Sequence, residues 1–515
     1  MYLTQSLHRA VQQNPDEIST IFGSRVRTFR ETADRVARLA AALRDRGVAE
    51  GDRVALLSLN SDRFHETMFA IWWVGAVANP VNIRWSAKEI AYSLKASDTR
   101  VLVVDDTFVA LVPEMAAEWD GVTTLVHCGD GPTPEGMLSY EELFAAHAPM
   151  EDTRTGGDRL AGVFYTGGTT GFPKGVMLTH ANMVTAAVSG LAAAPAAIAG
   201  GRMAHCAPLF HLAGLWTWNQ QNQIGGSHVF LPGFDPVVVL RTVQEHRPTS
   251  ILLVPAMVQI LVDHPSVGDH DLSSVQRIIY GASPIAESVL SRAMKAFPGA
   301  GFVQGYGMTE LSPLACVLTV DDHRDPSLLR AAGRAVVGTE VRIVDEADAE
   351  VPRGTVGEII VRGGGMMAGY WNDPEATAEA LRGDWMHTGD AGYMNERGYV
   401  FVVDRIKDMI VSGGENVYSA EVENVLSKHP AVAACAVIGV PDREWGERVH
   451  AVVVLQPGTT ATAEELREQC GGLIARYKAP RSVEFVEALP LSAAGKILKR
   501  DLRKPYWDGH ERGVG

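Results

Sequence analysis

Apolar positions in the first 150 residues alternate between two periods. From Phe29 to Arg46 they recur at three- and four-residue spacing, which predicts a helix with one buried face. Gly51-Asp52 interrupts the pattern, and Arg53–Leu59 follows as a short apolar run with the character of a strand. The alternation continues with a helix over Phe64–Trp73, a strand over Ala76–Val81, an amphipathic helix over Ser86–Leu94 and a strand over Val101–Val104. Strands separated by helices imply a layered, parallel α/β sheet. The same rhythm returns beyond residue 200, with strands at Ser227–Leu231, Ser250–Val254 and Arg277–Tyr280. Between about 334 and 403 helical spacing fades and strands with glycine turns take over (GTEVRIVD, GEIIVRG, GYVFVVD), which predicts a β-rich subdomain.

Asp404–Gly414, DRIKDMIVSGG, is charged and then glycine-rich, and marks a boundary. Beyond it about 100 residues have a βα pattern, with helix Ser419–Ser427, strands Val432–Ile438 and Val449–Leu455, and helix Ala463–Ile474. An α+β unit of that size can fold alone. The organisation expected is α/β, with a large N-terminal domain of layered sheets over 1–404, a hinge at 405–408 and a small mobile C-terminal domain over 409–515. A chain of 515 residues is too long for one ordinary core, which agrees.

A formal net charge of −15 argues against nonspecific binding to nucleic acid or anionic lipid. Five scattered cysteines without CxxC spacing predict reduced thiols, not a disulfide framework or a zinc site. No run approaches the roughly 18 apolar residues of a membrane span. The opening MYLTQSLHRAVQQNPDE carries no secretory signal, so a cytoplasmic protein is expected.

The chemistry begins at YTGGTTGFPKGVMLTH, residues 165–180. The apolar run Leu160–Tyr165 predicts a buried strand, and the glycine- and threonine-rich segment leaves its end. Bare glycine backbone lets N–H groups approach an anion, and threonine hydroxyls add donors. Thr166, Gly167, Gly168, Thr169, Thr170, Gly171 and Lys174 are therefore candidate phosphate ligands. A Walker loop is excluded, because Pro173 precedes Lys174 and Gly175-Val176-Met177 follows it, in place of GK[ST] opening a helix.

YTGGTTGFPKG resembles the signature loop of the adenylate-forming enzymes, which include acyl-CoA synthetases, luciferases and peptide-synthetase adenylation domains. The resemblance runs from about residue 25 to about 503, with motifs in family order. Gly168 stands where the family commonly has Ser or Thr, a variant that tilts slightly towards fatty acyl-CoA ligases. Gln304-Gly305-Tyr306-Gly307-Met308-Thr309-Glu310 matches the YGxTE motif. An aromatic face, a hydroxyl and a carboxylate on one glycine-flanked turn suit adenine stacking, an α-phosphate contact and a Mg²⁺ ligand, and the resemblance gives those roles to Tyr306, Thr309 and Glu310. Gly281-Ala282-Ser283-Pro284 resembles the segment beside adenine. Trp385–Asp390 matches W-x-x-T-G-D, with Asp390 as the carboxylate able to accept both ribose hydroxyls. Asp404–Asp408 resembles the family hinge, with Arg405 on ribose or phosphate and Lys407 at the pivot. Pro490–Arg500, PLSAAGKILKR, resembles the C-terminal motif that carries the adenylating lysine, here Lys496, although Leu491 stands where a basic residue is usual.

Small residues Ser412, Gly413 and Gly414 suit a pantetheine tunnel, and Trp445 and Lys478 resemble the family's CoA-facing surface. The resemblance thus implies ATP, CoA and Mg²⁺, an acyl-adenylate intermediate and rotation of the C-terminal domain between two half-reactions; it also admits a homodimer. His205–Trp218, HCAPLFHLAGLWTW, matches the family segment in which His211 borders the acid. Its surroundings are apolar and carry no Arg or Lys, which disfavours a dicarboxylate. A medium- or long-chain fatty acid is expected first and an aryl or cyclic acid second. An acyl-AMP ligase that loads a carrier protein would share every ATP motif and remains an alternative.

Overall fold

The computed structural model describes residues 1–166, 173–491 and 497–507. It divides into two compact units, the first made of Met1–Leu329, Gly333–Glu340 and Val361–Met386, the second of Arg330–Ala332, Val341–Ile360 and the residues from His387 onward.

Two large sheets build the first unit, as the alternating pattern requires. In the nine-stranded sheet, Ile18–Phe22, Ser227–Phe230, Arg202–His205, Ser250–Leu252, Arg277–Gly281 and Gly301–Tyr306 run parallel in that spatial order. The eight-stranded sheet has a parallel centre at Leu160–Thr166, Val77–Pro80, Arg53–Leu57, Val101–Val104 and Thr124–His127. One edge turns antiparallel, with Lys174–Thr179 folding back on Leu160–Thr166 and Gly369–Tyr370 pairing beyond it. Four expected strands prove shorter: Ala76–Val81 is reduced to Val77–Pro80, Ser227–Leu231 stops at Phe230, Arg53–Leu59 at Leu57 and Ser250–Val254 at Leu252. Pro255 sets the last of these limits by opening the next helix, Pro255–Val262.

Local chemistry sets the helix starts. Helix Phe29–Asp45 opens with a capping box between Thr28 and Glu31, and Ala87–Ala96 with one between Ser86 and Glu89. Helix Asp62–Trp73 is buried along all 12 residues, charged ones included. Burying a carboxylate is costly unless it is paired, and each is: Asp62 binds Arg25 at 2.8 Å, while Glu66 binds Arg27 at 2.9 Å and Arg35 at 2.8 Å.

Helix Leu212–Gln223 (LAGLWTWNQQNQ) is buried almost throughout, although its last residues are amides. Asn219 donates to the Met183 carbonyl, Gln220 accepts from the Ala196 amide, Gln221 donates to the Gly201 and Ser227 carbonyls, and Asn222 donates to the Trp218 carbonyl. Beside it lies a cluster of buried imidazoles. His205 Nε2 meets His228 Nδ1 at 2.9 Å, His228 Nε2 meets Asn222 Oδ1 at 2.9 Å, and Trp218 Nε1 donates to His65 Nδ1 at 2.9 Å.

The second unit holds most of a four-stranded sheet, Thr339–Val344, Gly357–Gly363, Met386–Met394 and Val400–Arg405 in that order, so the β-rich reading of this stretch holds. The C-terminal part is built on an antiparallel hairpin, Val432–Asp442 with Gly446–Leu455. Both strands outrun the expected Val432–Ile438 and Val449–Leu455, because Asp442 closes the turn by accepting the Glu444 and Trp445 amides. Ser482–Phe485 adds a parallel strand. Helices Ser419–Leu426 and Ala463–Leu473 cover a core that includes Ile410, Val422, Leu426, Val437, Val453 and Leu466.

All five cysteines are free and buried, and burial pushes their thiols up, Cys470 to about 11, consistent with inert packing residues. Among the described residues no helix is long and apolar enough to cross a membrane.

Candidate active site

The candidate nucleotide motifs of the first unit lie at strand ends. Arg277–Gly281 and Gly301–Tyr306 are parallel neighbours, and the register places Gly281 opposite Gly305. A Cβ on Gly281 would stand 2.2 Å from the Gly305 carbonyl oxygen, so the two strands approach there as bare backbone. Ala282 follows with φ +67°, in the left-handed region where a non-glycine residue is strained. The turn after Tyr306 is equally tight, since a Cβ on Gly307 would meet the Pro313 carbonyl oxygen at 2.0 Å. Gln304, Tyr306, Ser283 and Thr309 are half-buried, and Thr309 opens a single 3₁₀ turn, Thr309–Leu311.

Glu310 lies in that turn, 6% exposed. Tyr370 donates its hydroxyl to Glu310 Oε1 at 2.9 Å, and the Met367 amide binds the Glu310 carbonyl at 2.8 Å. Burial and the Glu310 charge raise the Tyr370 phenol, keeping it a donor. Lys174 Nζ stands 5.0 Å from the centre of the same Tyr370 ring, a cation–π contact. Lys174 in turn begins the strand paired in register with Thr166. One tyrosine thus joins the arm of the glycine-threonine loop to the buried carboxylate. Sequence reading missed Tyr370; its only trace is an aromatic following Gly369. Gly167, Gly168, Thr169, Thr170 and Gly171 lie outside the described residues.

The donor set fits magnesium. Mg²⁺ is usually held by one or two carboxylates together with substrate phosphates. Glu310 supplies one buried, oriented carboxylate, and no cluster of three or more metal-ligating side chains occurs among the described residues.

His211 precedes helix Leu212–Gln223 in extended backbone, half-buried, with its ring 4.2 Å from that of Phe210. Gly214 packs against the preceding turn, where a Cβ would meet the Pro208 carbonyl oxygen at 2.5 Å.

In the second unit Asp390 and Arg405 are cross-strand partners, with Arg405 Nε 2.9 Å from Asp390 Oδ1. Glu358, also missed from sequence, shapes the approach to Asp390. It accepts the Gly389 amide at 3.0 Å and meets His387 Nδ1 at 2.9 Å. Thr388 donates to the Ile359 carbonyl and accepts the Asp390 amide. Lys407 sits in the 3₁₀ turn Ile406–Asp408, where burial, then Arg405, lowers its ammonium below the usual lysine range. Lys496 lies outside the described residues.

Gly413 and Gly414, at φ +64° and +83°, form the two-residue turn between Ile410–Ser412 and Glu415–Val417, the geometry for which Gly-Gly is suited. A Cβ on Gly413 would stand 2.5 Å from the Trp445 ring. Trp445 also receives the Arg481 guanidinium, 4.0 Å from the ring centre, so one indole face is already covered. Lys478 binds both carboxylate oxygens of Glu421, at 2.9 and 2.7 Å, which ties its charge within the domain.

Known proteins resemble this chain along its whole length. The family model of AMP-binding enzymes matches residues 7–371, and that of the AMP-binding enzyme C-terminal domain matches 421–496. A feruloyl-CoA synthase from Amycolatopsis sp. is 40% identical over 499 residues, covering 97% of this chain and 98% of the relative. A fatty acid–[acyl-carrier-protein] ligase from Streptomyces coeruleorubidus is 36% identical over 522 residues, covering 99% and 97%. Among solved structures, an anthranilate CoA ligase in complex with anthranoyl-AMP superimposes with a TM-score of 0.93 at 28% identity, covering 99% of this chain and 98% of that one. Two family models in succession and relatives matched end to end show that the chain belongs to the AMP-binding enzymes, the adenylate-forming superfamily, as an AMP-forming ligase of the acyl-CoA synthetase type.

Proposed function

We propose that the protein is an ATP-dependent ligase that joins a monocarboxylic acid with an apolar body to CoA. A carboxylate acylates poorly, because its leaving group would be an oxide dianion. In the first half-reaction a carboxylate oxygen attacks the α-phosphorus of ATP, the α–β phosphoanhydride bond breaks and pyrophosphate leaves. In the second, the CoA thiol, having lost its proton, attacks the acyl carbonyl and AMP departs with the bonding pair.

The loop from Thr166 to Lys174 is assigned the β- and γ-phosphates, Tyr306 the adenine and Thr309 the α-phosphate. Asp390 holds the ribose hydroxyls with Arg405 beside it, and Lys496 stabilises charge gathering on the α-phosphorus. Glu310 would hold Mg²⁺, which when bound neutralises phosphate charge. Ser412, Gly413 and Gly414 would line the pantetheine path, and Lys407 would be the pivot between the two steps. Trp445 is retained as part of a CoA surface. Lys478, being paired with Glu421, is assigned the shaping of that surface in place of a phosphate contact.

The observation that carries this reading is the Lys174–Tyr370–Glu310 chain, which links the lysine of the candidate phosphate loop to a buried, oriented carboxylate. Both expected acid classes stay in play. The relative at 40% identity is named for feruloyl-CoA, so we put an aryl acid ahead of the fatty acid favoured by Gly168. The carrier-protein ligase among the relatives supports the second reading, in which a carrier thiol replaces CoA.

The test is to incubate the purified protein with MgATP and ferulate, cinnamate, benzoate, octanoate, palmitate or malonate, with and without CoA. Pyrophosphate, AMP and acyl-CoA are measured separately. Acyl-CoA with matching AMP, on one of the monocarboxylates, is the expected result. Pyrophosphate without thioester would refute the CoA assignment and favour a carrier protein. Preference for malonate would refute the apolar acid site.

A further inference from the structure

The hinge segment carries a contact that the two-step reaction does not itself call for. Helix Ser419–Leu426 begins after Tyr418, whose side chain does not cap it. The first amides of a helix need an acceptor, and here it comes from 15 residues earlier in the chain. Asp404, 7% exposed at the end of strand Val400–Arg405, accepts from the Ser419 amide at 2.5 Å, the Ser419 hydroxyl at 2.5 Å and the Ala420 amide at 3.4 Å through one oxygen. The Ser419 hydroxyl is also held by Lys499 Nζ at 2.5 Å, and Lys499 binds Glu423 at 2.8 Å. Arg503, one turn further along the last helix, binds the Lys407 carbonyl at 3.2 Å and the Asp408 carboxylate.

These bonds divide at Lys407. Arg503 holds groups at or beyond it, so it turns with the C-terminal segment. Asp404 lies before Lys407, and Ser419, Ala420 and Lys499 lie after it. A turn about Lys407 therefore leaves the Arg503 contacts intact and pulls the Asp404 carboxylate off the helix. A buried carboxylate aimed at a helix N-terminus is a favourable, directional pairing, lost as a unit when the angle changes.

We propose that Asp404 is a conformational latch across the hinge, closed on the first turn of helix Ser419–Leu426 in one half-reaction and open in the other. Resting on the two-step reading above, Asp404 and Ser419 are positioning residues that set the balance between adenylate formation and thioester formation. Lys499 couples the latch to the last helix, Lys499–Trp507.

The test uses the full-length protein and the best acid from the panel. Acid-dependent ATP–pyrophosphate exchange reports the first half-reaction, and acyl-CoA formation in a single turnover from preformed adenylate reports the second. For Asp404→Asn the ratio of the two rates is expected to shift by at least about tenfold, the size of one charge-assisted hydrogen bond. Ser419→Ala, which keeps the amide contact, is expected to shift it in the same direction by about threefold. A cap that serves stability alone would lower both rates together. An unchanged ratio in both variants therefore overturns the latch, even where activity falls. Should Asp404→Asn not fold, Ser419→Ala decides alone. If the parent catalyses neither half-reaction, the proposed function falls and the latch with it; a parent competent in both, with an unmoved ratio, removes only the latch.

Discussion

The buried imidazoles of the first unit give the molecule a calculable acid sensitivity. Burial lowers His65 and His205 to about 3 and drives His228 well below the ordinary histidine range. The hydrogen bonds explain why relief is unavailable. His228 Nε2 faces Asn222 Oδ1 and so carries the proton, which leaves His228 Nδ1 as acceptor for His205 Nε2–H. A second proton on His228 would set donor against donor in a dry cluster. In the unfolded chain the same rings titrate near 6.5, so below that pH the unfolded state binds more protons and stability falls. Each ring then costs about 2 kcal/mol at pH 5 relative to neutral pH, and about 6 kcal/mol for the three together, comparable with the whole stability of a typical domain. The perturbation is His205→Phe, with urea unfolding followed by tryptophan fluorescence at pH 7.5 and pH 5. The variant is expected to be less stable at pH 7.5 by about 1–3 kcal/mol, because the His228 acceptor loses its donor. Its further loss on going to pH 5 is expected to be smaller than the parent's by about 2 kcal/mol. Equal losses in parent and variant would refute the reasoning.

Tyr370→Phe removes the hydroxyl that orients Glu310; adenylate formation is expected to fall by roughly tenfold and to need more magnesium, while thioester formation from preformed adenylate stays within about twofold. Gly281→Ala places a methyl against the Gly305 carbonyl, with an expected loss of about 1–3 kcal/mol in urea unfolding and a raised KM for ATP. Asp390→Ala leaves Arg405 without its cross-strand carboxylate and removes the assigned ribose ligand; KM for ATP should rise by about tenfold or more, with the acid's KM little changed.

Much of the fold can be read from period alone where a helix or strand has one buried face or clear punctuation. Helix Phe29–Asp45 and strands Val101–Val104 and Arg277–Gly281 are of this kind. The C-terminal hairpin is longer than its pattern suggests, because Pro441 and Asp442 look like a strand's end but continue the ladder into a side-chain-closed turn. The nucleotide motifs are local in sequence, so Asp390, Tyr306 and Glu310 could be picked out as candidates. Tyr370 and Glu358 could not, since each acts on a motif from 60 and 31 residues away, through contacts that only folding creates. Lys478 illustrates the opposite limit: a basic residue in a suggestive motif, already neutralised by Glu421.

Helix Leu212–Gln223 has a consequence for how the chain finds its structure. Four of its five consecutive amides bond to groups around residues 183, 196, 201, 218 and 227. Displacing the helix by one position would leave several buried amides facing groups they cannot bond, at about 1–3 kcal/mol each. An apolar helix in the same slot could slide or rotate and lose little. The amides act as a proofreading step on assembly: near-native arrangements that oil-like packing alone would tolerate are rejected. These partners lie within 36 residues of the amides they meet, so the check operates among neighbouring segments of the chain and is expected to act early in assembly.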